Sequence, residues 1–178
     1  MTTPSDVVSF WREAGPERWF GGGDSFDAQC RAHFLDAHLC AARREFEHWQ
    51  ETAEGALALV LLLDQIPRNV FRRSGHAYAT DPLARHYADR ALTLGFDTQV
   101  ETALRSFFYL PFQHSEALAD QDRALALFGR LPSGGDRWAR HHYEIIQRFG
   151  RFPHRNAALG RQSTREEREF LAQGGFSG

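Results

Sequence analysis

Apolar side chains recur at helical spacing along most of the chain, and no segment alternates strictly between apolar and polar residues as a half-buried strand does. The run ALALVLLL at 56–63 is apolar on every side of a helix. A helix of that kind is typically surrounded by other elements of the core. These patterns predict an all-α fold with the segment around 56–63 at its centre.

Eight helices are predicted from the apolar spacing and from the caps and breaks between them. They cover 5–14, a stretch from 24 or 25 onward, 52–66, 81–94, 97–109, 115–130, 136–150 and 163–174. Three of these helices are expected to end at prolines, namely Pro67, Pro111 and Pro132. Asp81 is expected to cap the fourth helix and Gly95 to end it. Ser163 and Glu166 are expected to form a capping box for the eighth.

The connections between these helices are short, which favours antiparallel neighbours. The chain of 178 residues fits one domain, and no linker interrupts it. The sequence therefore predicts a single all-helical domain over 1–178, arranged as an antiparallel bundle or as stacked helical pairs.

The charge balance narrows the classes of partner. The formal net charge of -2 argues against the broad positive field that nucleic-acid binding requires, so no nucleic-acid partner is expected. No apolar run approaches the roughly 20 residues that span a bilayer, so no membrane partner is expected. The N-terminus lacks the pattern of a signal peptide, and the expected location is the cytoplasm.

The repertoire of reactive groups is also limited. No HExxH or paired-cysteine motif is present, so neither a metal nor another cofactor is expected. All 21 basic residues are arginine, which excludes a lysine Schiff base and leaves guanidinium groups as the permanent cations.

Three clusters of polar residues stand out, because each accompanies a proline at the end of an apolar helix and lies beside aromatic side chains. A proline fixes its own backbone and restricts the residue before it, so polar groups on such a corner have little entropy left to lose. The first cluster contains Asp64, Gln65, Arg68 and Asn69, the second His114, Ser115 and Glu116, and the third His154, Arg155 and Asn156.

If the three clusters converge, they would form a pocket for an anionic small molecule that carries a carboxylate or a phosphate. Guanidinium and amide groups match the oxygens of such a ligand. Imidazole and carboxyl groups exchange protons near neutral pH when burial shifts their pKa values. The candidates for ligand binding are Gln65, Arg68, Asn69, Ser115, Arg155 and Asn156. The candidates for acid–base catalysis are His114, Glu116, Asp64 and His154, and the sequence leaves open whether a reaction follows binding.

The same residues have a second interpretation. Polar side chains after a helix end often cap unsatisfied carbonyl groups, and arginine is favoured there by the helix dipole. The clusters would then fix the turns between helices, and the protein would be a helical scaffold that binds a protein or peptide partner. A deep pocket would favour the first interpretation, and a shallow groove with exposed apolar residues would favour the second.

The segments LLLDQIPRNVFR, FFYLPFQHSE and FGRFPHRN, with REEREFL further on, resemble the hallmark segments of an uncharacterised bacterial family, domain of unknown function 924. The resemblance extends from VVSFW to FLAQGG. It implies an all-α fold similar to tetratricopeptide-like helical arrays, and it implies no known activity. The characteristic residues of the family correspond to the ten residues of the three clusters. One departure is Arg73-Ser74, where the resemblance implies a small Gly-Thr-like turn.

Overall fold

The computed structural model describes residues 2–131 and 136–176. All regular secondary structure within these two ranges is helical. The prediction of an all-α fold is therefore confirmed. Within the same ranges, no helix is both long enough and apolar enough to cross a membrane.

The chain divides into two compact units. The first unit comprises Met1–Arg72 and His76–Pro111, and the second comprises Arg73–Gly75 and Phe112–Gly178. Neither unit is a continuous stretch of chain. The single domain expected from the sequence stays a prediction, as does the tetratricopeptide-like arrangement.

Helices of very different length form the first unit. They are α1 (Pro4–Ala14), α2 (Pro16–Trp19), α3 (Gly23–Ala42), α4 (Ala53–Val60), α5 (Ile66–Val70), α6 (Asp81–Thr93) and α7 (Thr102–Arg105). From Ala56 onward, α4 and the turn after it are buried on all sides, because every residue from Ala56 to Leu63 is at most 1% exposed. The central position predicted for the apolar run is therefore confirmed.

The predicted third helix does not end at Pro67. α4 leads into one π-helical turn at Leu61–Gln65, in which the N–H of Ile66 donates to the carbonyl of Leu61. α5 then begins at Ile66, with Pro67 in its first turn. A proline lacks the N–H that a helix interior requires, but the first turn of a helix does not need it. The expectation that Pro67 ends the helix is wrong, because the wider π turn lets a new helix begin at once.

The other proline corners follow the same rule. The predicted fifth helix over 97–109 is divided into short helical pieces, and Pro111 is the second residue of a new helix, α8 (Leu110–Gln113). Pro153 likewise opens a short 3-10 helix at Pro153–Arg155. Each described corner is therefore the start of a helical turn. The predicted end at Pro132 lies outside the described residues.

The second unit contains α9 (Leu118–Phe128), α10 (Asp136–Phe149) and α11 (Arg165–Ala172). Its core includes the side chains of Ile145, Ile146 and Phe152, with further phenylalanines packed against them. Phe152 precedes the third polar cluster by two residues and is completely buried. The third cluster is therefore anchored to the core of this unit.

Two predicted caps are displaced by one residue. Thr80 precedes α6, and Asp81 is the first residue of that helix instead of its cap. Thr164 caps α11 in place of Ser163, since its hydroxyl accepts the N–H of Glu167 and the Glu167 carboxylate accepts the N–H of Thr164. Gly95, with a φ of 69°, lies in the left-handed region after α6, as predicted.

Candidate functional site

The first cluster lies in the π turn and just after it, where two of its side chains and two from other segments bind the backbone. Pro67 has no N–H to donate to the turn before it, and side chains donate to four successive carbonyl oxygens. The donors and acceptors are His38 Nδ1 to Leu62 (2.8 Å), Thr80 Oγ1 to Leu63 (2.6 Å), Arg68 Nη1 to Asp64 (2.5 Å) and Asn69 Nδ2 to Gln65 (3.1 Å). These bonds agree with the capping interpretation of the first cluster.

Arg68 also links two carboxylates inside the first unit. Its guanidinium donates twice to Asp81, at 2.8 and 3.0 Å, and lies 3.3 Å from Asp64 Oδ1. Burial lowers the pKa of Arg68, but the charges of Asp64 and Asp81 outweigh that effect and raise it above its usual range. Gln65 donates to the other oxygen of Asp64 at 2.5 Å. Asp81 was not among the site residues predicted from the sequence.

Ser115, in the second cluster, fixes the start of α9. Its hydroxyl donates to Asp120 Oδ2 at 2.6 Å and accepts the N–H of Ala117 at 3.2 Å. The buried amide of Gln121 donates to the carbonyls of Gln113 and Ser115, at 2.7 and 2.6 Å. The backbone around the second cluster is therefore held by α9 itself.

Glu116 is bound by Arg161, which the sequence analysis did not select. The guanidinium donates to both carboxylate oxygens, at 2.7 and 2.9 Å, and the N–H of Phe152 donates to one of them at 2.8 Å. Burial raises the pKa of Glu116, but the hydrogen bonds from Arg161 and Phe152 outweigh it, so the pKa lies below its usual value. Glu116 is therefore ionised at neutral pH and joins the second cluster to the third.

Asn156 belongs to the same network. Its amide nitrogen donates to Ser163 at 3.1 Å and to Glu167 at 3.3 Å, and its oxygen accepts from Arg161 at 2.9 Å. Arg151 donates twice to Glu167, at 2.6 and 2.8 Å, and these hydrogen bonds lower the pKa of Glu167 to about 2. The side chain of Asn156 is thus part of the support for the cap of α11.

Four further side chains of the second unit are connected to one another through contacts that include the buried ring of Phe152. We call His114, His142, His154 and Arg155 the basic cluster. The Arg155 guanidinium lies 4.5 Å from the centre of the Phe152 ring and donates to the carbonyl of His114 at 3.0 Å. The ring centres of His142 and His154 are 5.5 and 5.6 Å from that of Phe152, and the rings of His114 and His142 are 6.4 Å apart. Two segments of the chain thus bring nitrogen-bearing side chains to the Phe152 ring, and His114 joins them through its contacts with His142 and Arg155.

His142 is buried, and its pKa is lowered to about 3. Burial is the largest cause, and the charge of His114 is the next. Arg155 and His141 lower the pKa further, whereas a hydrogen bond to the carbonyl of Trp138 raises it. His142 is therefore neutral at neutral pH, mainly because it is buried and also because of the neighbouring positive charges.

The structure brings the second and third clusters together within the second unit, while the first cluster lies in the first unit. Convergence of all three clusters on one pocket stays a prediction. Arg161 could have been found from the sequence, since it lies between two of the quoted family segments. His142 carried no such signal, because a histidine on an apolar helix face is usual in a core.

Among residues 2–131 and 136–176, no group of three or more histidine, cysteine, aspartate or glutamate side chains is arranged to hold a metal ion. The side chains of the basic cluster carry guanidinium and imidazole groups. Such groups bind oxyanions and, for imidazole, transfer protons.

The family model for bacterial proteins of unknown function, DUF924, matches residues 7–175. The chain is also similar to the solved structure of protein of unknown function ATU0120 from Agrobacterium tumefaciens, with 51% identity and a TM-score of 0.92 over 96% of this chain and 97% of that one. No curated protein matches the chain. The chain therefore belongs to the DUF924 family of bacterial proteins.

Proposed function

We propose that the protein binds an anionic small molecule, carrying a carboxylate or a phosphate, at the basic cluster. The observation that supports the proposal is that His142, His154 and Arg155 surround Phe152, with His114 next to His142. His114 and His154 are half-buried, so the cluster extends from the core of the second unit to solvent. A ligand would enter at these two histidines and reach Arg155.

The charges around His142 also support the binding of an anion. Burial is the largest reason why His142 stays neutral, and positive charge on His114, Arg155 and His141 adds to it, so these groups contribute a positive potential at this position. An anion would lower that potential and would therefore bind favourably. The same reasoning predicts that the bound anion raises the pKa of His142.

The ion pairs of Asp64 and Glu116 reduce the number of candidates for proton transfer. Asp64 and Glu116 are each bound by an arginine, and a carboxylate held in its ionised form is a poor proton carrier at neutral pH. The proposal therefore assigns proton transfer, if the ligand reacts, to His114 or His154. Arg155 would bind the anion, and Ser115 and Asn156 would support the surrounding backbone. The cytoplasmic location inferred from the sequence is part of this proposal.

The alternative function is a scaffold for a protein or peptide partner. Large apolar side chains on the surface favour it, since Phe20 is 68% exposed in the first unit and Trp138 is 58% exposed in the second. In that case the basic cluster would only stabilise the fold. Binding of a small anion at the basic cluster is expected for the proposed function and not for the scaffold.

The test is a titration of the protein with inorganic phosphate and with citrate. Binding is monitored by NMR of the histidine side chains and by the midpoint of thermal unfolding. We expect signals of His114, His142 and His154 to shift. A ligand at 100 times its dissociation constant should stabilise the protein by about 2.7 kcal/mol. We expect Arg155→Gln to weaken binding about tenfold or more, because hydrogen bonds between charged groups contribute about 1.5–3 kcal/mol each.

Arg165→Gln is the matched control, because this arginine of the second unit is 88% exposed and pairs with Glu169 only one helical turn away. It should bind the anions as the wild type does. His154→Gln provides a second variant if Arg155→Gln does not fold. If neither anion shifts a histidine signal, and both variants melt several degrees lower, the scaffold is the better description.

A further inference from the structure

A groove of about 490 Å³ lies between α1 and α3 in the first unit, and none of its lining residues belongs to the three polar clusters. On α1 it is lined by Asp6, Ser9, Phe10 and Glu13. These positions are spaced by three, one and three residues, so they form one stripe of the helix. The groove is therefore a continuous surface along two helical turns.

Aromatic rings form the floor of the groove. The Phe10 ring lies 5.0 Å from that of Phe34 and 5.6 Å from that of His33, measured between centres, and all three residues line the groove. Phe34 is buried, whereas Phe10 is half-buried and keeps part of its surface open to a ligand. The face of such a ring attracts a cation.

Carboxylates stand at both ends of the stripe. Asp6 and Glu13 are exposed and are separated by two turns of α1, or about 10 Å along the helix axis. The hydroxyl of Thr3 and its N–H donate to Asp6 Oδ2, and both bonds lower the pKa of Asp6. Oδ1 can therefore accept a bond from a ligand. Within the described part of the chain, Glu13 has no ion pair.

We infer that this groove binds an aliphatic polyamine, with one ammonium group at Asp6, another at Glu13 and the alkyl chain across Phe10. Two negative charges at a fixed spacing, with an aromatic surface between them, match a flexible chain that carries positive charges at both ends. A single ammonium group would satisfy only one end. An anion would meet two like charges and is excluded.

Spermidine is the probe, and butylamine is the control with one ammonium group. In an NMR titration at low salt, we expect spermidine to shift the backbone signals of α1 and of the His33 region. Butylamine should bind at least tenfold more weakly. Raising the salt concentration should weaken the binding of spermidine more than that of butylamine, because screening acts on each ion pair.

Variants locate the site. Glu13→Gln keeps the size of the side chain and should weaken spermidine binding about threefold or more, near the upper end of what one exposed ion pair contributes. Phe10→Leu should weaken it about twofold to fivefold, because the secondary ammonium group between the two ends of spermidine loses a cation–π contact with the ring. Glu54→Gln, which removes another exposed carboxylate of the first unit, should leave the affinity unchanged.

Equal loss of affinity in Glu13→Gln and Glu54→Gln would overturn the inference, since it would indicate unspecific attraction to negative charge. Equal affinity for butylamine and spermidine would also overturn it. A lysine-containing peptide that binds the groove when spermidine does not would assign the surface to a protein partner instead.

Discussion

Two arginines have backbone conformations that residues other than glycine rarely adopt. Arg44 and Arg73 have φ angles of 62° and 66°, in the left-handed region that favours glycine. Arg73 is exposed and belongs to the Arg73-Ser74 pair that departs from the family pattern. The structure thus supports the small turn that the resemblance implies at this position.

We predict that Arg73→Gly stabilises the protein. A non-glycine residue in the left-handed region costs about 1–2 kcal/mol, and the greater freedom of glycine in the unfolded chain offsets about 0.5–1 kcal/mol of that gain. The thermal midpoint should rise by about 2 °C. Arg44→Gly is the control, because it also removes the double hydrogen bond from Arg44 to Glu47. A lower midpoint for Arg73→Gly than for the wild type would contradict the prediction.

We predict that His142 makes stability depend on pH below its usual pKa of 6.5. Its pKa in the folded protein is about 3, so in this range the unfolded chain binds a proton that the folded protein does not. The stabilisation is fully present above pH 6.5 and decreases as the pH falls, by at most about 1.4 kcal/mol per pH unit for one proton. Urea unfolding between about pH 5 and 6.5 measures this slope, and His142→Phe should make it smaller.

His38 contributes to the same measurement, since burial also lowers its pKa. Its contribution is present in both proteins, so the difference in slope belongs to His142. An identical slope in the wild type and in His142→Phe would show that His142 titrates normally in the folded protein.

At the scale of elements, the π turn between α4 and α5 explains why the first cluster supports the backbone. The π turn and Pro67 leave the backbone there dependent on side-chain donors, of which Thr80 is one. Thr80 lies next to α6 in the chain but does not cap it, because its hydroxyl donates to the carbonyl of Leu63. This one hydrogen bond therefore fixes the approach to α6 against the most buried segment of the first unit.

We predict that Thr80→Val, which keeps the shape of the side chain, lowers the free energy of unfolding by about 1–3 kcal/mol. The reason is that the buried carbonyl of Leu63 loses its side-chain donor. Thr93→Val is the control, because the hydroxyl of Thr93 donates to a carbonyl of its own helix at an exposed position. It should change stability by less than about 0.5 kcal/mol. Equal effects of the two variants in urea unfolding would contradict the structural role of Thr80.

The sequence predicted where helices form, but it predicted their first and last residues less accurately. The capping box of α11 was displaced by one residue, because Ser163 is bonded to Asn156 and Glu167 is bound by Arg151. Both partners are more than five residues away along the chain. Short-range patterns do not contain such contacts.

At the scale of the whole molecule, the sequence by itself determined the all-α class, the buried run at 56–63, the family and the ten residues of the polar clusters. These follow from periodicity and from local motifs, which depend on neighbours within a few turns of helix. Only the tertiary structure decided which of those residues act together. Arg68 binds Asp81 and Glu116 binds Arg161, and these pairs are 13 and 45 residues apart in the chain.

The tertiary structure also separated the residues of the three clusters into those that support the backbone and those of the basic cluster, which we propose to bind a ligand. Any of the 21 arginines can pair with any carboxylate by charge alone, so the sequence cannot choose between them. Packing makes the choice, because a buried guanidinium is stable only where carboxylates or carbonyl groups surround it. The basic cluster around Phe152 exists for the same reason, since the core of the second unit holds together side chains that are distant along the chain.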